Sequence, residues 1–375
     1  MLAPKTGMPA GGTRANERAD ECADRRALTV PLSTRSANAS DHPFSHLTPQ
    51  AVLDALDAVG LRGDGRMIQL NSYENRVFQV YLEDGGVVVA KFYRPGRWSD
   101  AQIDEEHAFA LELADAEVPV VAPLRLANKR CVAHAEIDGQ RFALAASPCR
   151  SGHGPELDDP ATLRWLGRFV ARLHTVGAQR PFSSRRHINP QTFGHDALAR
   201  LLDGELIPPA QLPGWESACR QALAQVDAAF AATPIAPIRL HGDCHPGNIL
   251  WRSPDAGGQG PHIVDLDDAA TGPAVQDLWM LFSGSPDAMA GQMAQVLAGY
   301  AQIRDFDPRE LALIEPLRTL RMVHHSAWLA ERWSDPAFPI AFPWFGHPSY
   351  WDQQAIQLRE QIEAMAEPPP TPDWA

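Results

Sequence analysis

The sequence predicts an α+β chain of two lobes, a small, mainly antiparallel-β N-lobe followed by a larger, mainly helical C-lobe. Three observations carry this. Two alternating runs, Arg76-Val77-Phe78-Gln79-Val80-Tyr81 and Val87-Val88-Val89-Ala90-Lys91-Phe92-Tyr93, straddle the turn signal Asp84-Gly85-Gly86 and read as an antiparallel hairpin. From Gln276 onward the apolar spacing is largely helical. The chain has 375 residues, 45% of them hydrophobic, too long for one simple core and apolar enough to bury a sizeable one.

Taken in order, residues 1–43 are rich in Ala, Arg, Asp, Ser and Gly without a sustained period, and read as a flexible extension with no assigned function. Thr48 before Pro49 is a helix start, with Val52, Leu53, Leu56 and Val59 as its apolar face. After the hairpin, Ser99 opens a second helix reaching Leu113. Phe142 to Pro148 is an apolar strand that runs into Gly152, Gly154 and Pro155, a hinge where an adenine would meet backbone amides, or a plain interdomain linker. The lobes are accordingly set at 44–149, nucleotide-binding, and 150–375. Thr162 to His174 has helical spacing, and His174 at its end reads as structural. The tryptophans Trp279, Trp328, Trp333, Trp344 and Trp351 read as core packing, with an exposed subset able to line a substrate groove.

The chemistry concentrates in Arg239-Leu240-His241-Gly242-Asp243-Cys244-His245-Pro246-Gly247-Asn248-Ile249-Leu250 and in Ile263-Val264-Asp265-Leu266-Asp267-Asp268. Asp and Asn crowd into ordinary turns, but a turn does not require a second acidic cluster at the end of a second apolar run. Phosphoryl transfer does: one carboxylate receives a hydroxyl proton, while an amide oxygen and a second carboxylate hold magnesium. The spacing of Asp243 to Asn248 equals that of the protein-kinase catalytic loop, and Asp265 stands where the D-F-G aspartate would. A metal-hydrolase reading, with His241, Asp243 and His245 as ligands, competes; the proline and glycine that follow at once and the lack of another His-rich segment weigh against it.

Lys91 closes a β-branched run as the lysine of V-A-I-K does, and could pair with the nucleotide α- and β-phosphates. Glu106 on the next helix is the preferred partner for it, with Glu105 a competitor. Leu70-Asn71-Ser72-Tyr73-Glu74-Asn75-Arg76 occupies the place of a glycine-rich phosphate cradle without its glycines, and the Ser72 hydroxyl and neighbouring amides could cover phosphates instead. Asp277 reads as a structural acceptor fixing the catalytic loop, and His324 and His325 as packed or surface residues.

Together these residues resemble the kinase-like phosphotransferase superfamily that includes aminoglycoside phosphotransferases and choline kinases, whose H-G-D-x-H-x-x-N loop is matched by His241 to Asn248. Within it, Asn71 to Val77, Val89 to Pro95, Asp265 to Asp268 with Gly272 to Met280, and Ile314 to Arg318 are similar to the bacterial stress response kinases, over about residues 45 to 370. The resemblance implies a two-lobed protein-kinase-like fold and an ATP- and magnesium-dependent serine/threonine protein kinase of the cytoplasm, autophosphorylating and active in stress response; a monomer is expected, although the sequence does not fix the oligomeric state. Carried over by position, Asp243 is the proton acceptor, Asn248 and Asp265 bind magnesium, Asp265 also counts as catalytic, and Ser72 belongs to the ATP site; Lys91 and Glu106 follow from the wider kinase pattern. Asp267 replaces the D-F-G glycine, against a flipping switch at this position. A small-molecule kinase would share every one of these residues, while a non-catalytic nucleotide-binding protein would not need the whole set.

The formal net charge of −13 argues against nucleic acid or an anionic membrane surface as a partner. Five scattered cysteines without C-x-x-C spacing read as reduced thiols, and Cys244 as a packed small residue. No apolar run approaches the ~20 residues of a membrane span, and the start has no apolar run of the kind an export signal needs.

Overall fold

The structure, a computed structural model, describes residues 42–252, 261–282 and 286–369. Most of the expected extension, residues 1–41, lies outside the described residues. Helix α1 (Pro49–Asp57) starts where expected, with the Thr48 hydroxyl accepting from the Ala51 amide. Strands β1 (Gly63–Gln69), β2 (Arg76–Leu82), β3 (Val87–Phe92), β4 (Ala133–Ile137) and β5 (Gln140–Pro148) form one antiparallel sheet in the order β1-β2-β3-β5-β4. Helix α2 (Asp100–Asp115) begins with a capping box between Ser99 and Gln102.

Register decides which side chains the sheet offers to the cleft. Phe78, Val80, Val88, Ala90, Phe92, Phe142, Leu144 and Ala146 pack with Val52 and Leu56 of α1 in the N-lobe core. Successive strand residues face opposite ways, so Lys91, opposite Val77 and Ala145, is turned to the other face.

The C-lobe holds α3 (Pro160–Gly177), a π-helical turn (Pro190–His195), α4 (Asp196–Asp203), α5 (Leu212–Ala232), α6 (Gln276–Trp279), α7 (Pro286–Tyr300), α8 (Ile314–Glu331), α9 (Ala337–Ala341) and α10 (Pro348–Ala366). Leu163, Leu166, Phe169, Val170 and Leu173 of α3 are buried, each contributing ~1.5–3 kcal/mol. Helices α3 and α7 touch backbone to backbone, since a Cβ on Gly167 would lie 1.9 Å from the Val296 carbonyl oxygen. Two short antiparallel ladders, β6 (Ile238–Leu240) with β9 (Ala270–Gly272) and β7 (Ile249–Leu250) with β8 (His262–Ile263), bracket the segment His241 to Asn248. This is the small antiparallel-β lobe and helical lobe that the sequence predicts.

Cys131, Cys219 and Cys244 are free and buried, and burial pushes the Cys244 thiol well up, as a packed residue requires.

Candidate active site

The loop between β6 and β7 is held from beneath by Asp277, which has no exposed surface. Its Oδ2 accepts from the His241 amide at 2.7 Å and its Oδ1 from the Gly242 amide at 2.8 Å. His174 Nε2 lies 3.2 Å from the same Oδ2, and its Nδ1 bonds the Tyr300 hydroxyl at 2.9 Å. His174 and Asp277 therefore have the structural parts expected of them. Gly242 has φ of +85°, and a Cβ there would sit 2.2 Å from the Asp268 carbonyl oxygen, so no other residue fits without moving the acidic segment. His241 Nε2 donates to the Val264 carbonyl at 3.0 Å, and its Nδ1 accepts from the Asp243 amide at 3.3 Å. Both ring nitrogens are occupied by backbone, which removes His241 from the ligand set considered above.

Asp243 emerges from this loop with about a quarter of its side chain exposed. Burial opposes its charge, but the His245 imidazole and the Arg321 guanidinium outweigh burial and hold its carboxyl well below the usual carboxylate range. Arg321 Nη1 donates to Oδ1 at 2.7 Å, and His245 Nε2 stands 3.5 Å from Oδ2. Asn248 Nδ2 donates to the Asp243 carbonyl at 3.0 Å, which leaves the amide oxygen unspent. The Val264 amide donates to the Asn248 carbonyl at 3.0 Å, so Asp265, the next residue, is tied close to Asn248. Asp265 adopts a left-handed conformation, φ 65° and ψ 62°, uncommon for a non-glycine residue. Its side chain is 55% exposed. An amide oxygen and a carboxylate, both hard oxygen donors beside open space, suit a magnesium ion that keeps waters and phosphates as its remaining ligands.

Lys91 meets the acidic segment. Its Nζ lies 3.2 Å from Asp265 Oδ1 and 3.4 Å from Asp267 Oδ1. Burial works against the ammonium, yet Asp267 and Asp265 raise its pKa well above the ordinary lysine value. The expected Lys91–Glu106 ion pair is not formed, because these two aspartates take the lysine. Glu106 is buried in the same cavity, one carboxylate oxygen has no hydrogen-bond partner, and burial first and then Asp267 raise its pKa while Lys91 lowers it. Glu105 is excluded as the lysine partner, since its carboxylate accepts from the amides of Ser183, Ser184 and Arg185 at 2.7, 2.8 and 3.0 Å. Asp267 is buried; its Oδ2 accepts from Arg97 at 2.6 Å and from Asn75 at 3.2 Å.

A cavity of about 400 Å³ gathers Ser72, Lys91, Glu106, Asp243, Asn248 and Asp265. The strand end Ala145 to Pro148 also lines it, at the place expected for the hinge. A second cavity, of about 270 Å³, opens on the other side of Asp243 and is walled by helix α8 and by Arg186, Ile188 and Phe193. Trp328 borders both. Sequence reasoning missed Arg321 and the lysine-binding part of Asp267. Asp267 lay inside the motif and was visible; Arg321 sits 78 residues beyond Asp243 and carries no local signal.

The model of the phosphotransferase enzyme family matches residues 67–314. The chain belongs to this family. It is 43% identical over 326 residues, 87% of this chain and 96% of the other, to Stress response kinase A of Salmonella choleraesuis strain SC-B67. The same identity and coverage relate it to the serine/threonine protein kinase RdoA of Salmonella typhimurium strain LT2. Among solved structures, amicoumacin kinase hAmiN in complex with AMP-PNP, Ca2+ and Ami superposes with a TM-score of 0.66 at 20% identity, covering 86% of this chain and 95% of that one. The fold is thus that of the phosphotransferase kinases, and no helix among the described residues is long and apolar enough to cross a membrane.

Proposed function

We propose that this phosphotransferase is an ATP- and magnesium-dependent serine/threonine protein kinase, monomeric, autophosphorylating and active in the cytoplasm during stress. The observation that carries the transfer chemistry is the position of Asp243, an ionised carboxylate lining both the larger cavity and the second one. A nucleotide on one side and a hydroxyl on the other would meet at this carboxylate. The kinase names of relatives 43% identical over most of the chain support the protein acceptor and the stress setting.

In this reading residues 44–149 form the nucleotide-binding lobe and 150–375 the lobe that binds metal and acceptor. Asn248 and Asp265 would hold the magnesium, which when bound neutralises phosphate charge as the leaving oxygen develops it. Lys91 directs its ammonium at the phosphates, Ser72 covers them with its hydroxyl, and Glu106 adds a carboxyl behind the lysine. Asp243 accepts the acceptor hydroxyl's proton and orients its oxygen in line.

The concave second cavity favours one other reading, a small hydroxylated acceptor, since such ligands take enclosed sites with converging polar groups. Incubation of the purified chain with labelled ATP, magnesium and a generic protein acceptor separates the two. Mass spectrometry is expected to find phosphoserine or phosphothreonine on the chain or the acceptor, absent with Asp265→Ala. Efficient phosphorylation of an amino alcohol or aminoglycoside with no modified protein would give the site to the small acceptor.

A further inference from the structure

Five arginines border the second cavity: Arg97, Arg186, Arg200, Arg321 and Arg332. Four have carboxylate partners. Arg97 pairs with Asp267 and Asp268, both at 2.6 Å, Arg332 with Glu74 at 2.6 Å, Arg200 with Glu331 at 2.5 Å, and Arg321 with Asp243 at 2.7 Å. Apart from Asp243, the wall carboxylates Glu74, Asp268 and Glu331 are each paired with at least one of these arginines, and the five guanidinium groups outnumber the four carboxylates of the wall. Arg186 is different: it forms no ion pair among the described residues.

Its guanidinium lies 4.3 Å from the centre of the Trp98 ring, and its Nη1 is 3.3 Å from His324 Nε2. His324 cannot neutralise it. Burial, then Arg186 and three further arginines, holds the imidazole well below its usual pKa and therefore uncharged. Burial lowers the Arg186 pKa as well, and neighbouring arginines lower it further against the pull of Asp268, but a guanidinium stays protonated at neutral pH. The result is a half-buried cation fixed by stacking, with unspent donors at a cavity that ends on Asp243. Such a planar fork matches carboxylate and phosphate oxygens.

We infer that the second cavity is an anion subsite for the acceptor: Arg186 binds a carboxylate or phosphate on the group that presents its hydroxyl to Asp243. This rests on the reading of Asp243 as proton acceptor. In the transfer, a bond forms between the hydroxyl oxygen and the γ-phosphorus of ATP. The bond from that phosphorus to the β,γ-bridging oxygen breaks, ADP leaves with the electron pair, and the hydroxyl proton passes to Asp243. The volume of about 270 Å³, a little below the ~300–1,000 Å³ of drug-sized sites, suits one side chain or a small acid. The anion can come from a residue beside the target serine of a peptide or from a free hydroxy acid.

Three acceptors distinguish these sources at saturating ATP and magnesium: a serine peptide with a neighbouring phosphoserine, the same peptide with alanine in place of that phosphoserine, and glycerate. The expected result is a preference of about 10-fold or more in kcat/KM for one anionic acceptor over the neutral peptide, expressed in KM, as charged hydrogen bonds of this kind provide. Arg186→Gln should collapse that ratio towards one, and Arg186→Lys should restore part of it. A second readout does not depend on turnover. With a non-hydrolysable ATP analogue saturating the larger cavity, inorganic phosphate should change the fluorescence of Trp98 in the unmodified chain and not in Arg186→Gln. Phosphate binding that depends on Arg186, without transfer to any acceptor, would sustain the anion subsite and sink the kinase reading. Equal use of neutral and anionic acceptors, together with phosphate binding indifferent to Arg186→Gln, would overturn the inference.

Discussion

At Asp243 two opposing effects meet, and the outcome sets the chemistry. Burial would favour the neutral acid, yet His245 and Arg321 keep it ionised. A carboxylate charged at any physiological pH orients a hydroxyl and takes its proton late, so Asp243→Asn should lower kcat by ~10²–10⁴ while binding of an ATP analogue, read by calorimetry, is retained. Asp265→Ala should abolish detectable transfer, because it removes a proposed metal ligand; near-normal turnover in either variant would contradict the assigned roles. The depressed Asp243 pKa also has a sign. The folded state gains stability from this ionised group above the ordinary carboxylate pKa and loses it as pH falls through the depressed value, so Asp243 should impose no acid limb on kcat/KM between pH 5 and 8. Asp243, Asn248 and Asp265 were legible because the loop that sets their chemistry is continuous in sequence. Arg321, Arg186 and the pairing of Lys91 with Asp267 were not, because long-range packing brings them together.

Among the elements, the hairpin of β2 and β3 and the helices α1, α2 and α3 were legible from period and caps. The ladders β6 with β9 and β7 with β8 were not, since strands of two or three residues are too short to show a period. Those ladders nonetheless aim the catalytic loop. Gly242→Ala should force the loop away from the Asp268 carbonyl and cost about 1–3 kcal/mol in stability, with a larger proportional loss of kcat; denaturant unfolding beside a turnover assay checks both. A second element, α6, is tied at its start by Glu310, whose Oε2 accepts from the Val275 amide at 2.9 Å. Burial outweighs this hydrogen bond and pushes the Glu310 carboxyl up to about 7. A pKa raised on folding gives stability fully present below the unfolded value near 4.5 and lost as pH rises through about 7. Glu310→Gln, which keeps an accepting oxygen, should therefore be more stable than the unmodified chain at pH 8 by about 1–3 kcal/mol, with the advantage gone at pH 4. A constant difference across that range would show that Glu310 does not titrate on unfolding.

For the molecule as a whole, the two lobes are joined at the wall of the second cavity by a buried ion cluster and not by the chain alone. Glu74, on the loop before β2, takes Arg332 at 2.6 Å, Arg94 at 3.1 Å and Arg97 at 3.4 Å. Arg94 reaches Asp335 at 2.8 Å, and Arg97 reaches Asp267 and Asp268. Glu74 thus compensates three arginines that are themselves largely buried. A buried ion pair adds little net stability over an apolar substitute, but removing one partner leaves uncompensated charge and costs about 3–5 kcal/mol. Glu74→Gln should accordingly do more than weaken the fold uniformly. With Arg94, Arg97 and Arg332 repelling one another across the lobe boundary, the small lobe loses its anchor while each lobe keeps its own hydrophobic core. Unfolding of the variant in urea, followed by tryptophan fluorescence and by far-ultraviolet circular dichroism, should then give two non-coincident transitions where the unmodified chain gives one. Coincident transitions in Glu74→Gln, with a midpoint close to that of the unmodified chain, would mean that the cores and not the ion cluster hold the lobes in register.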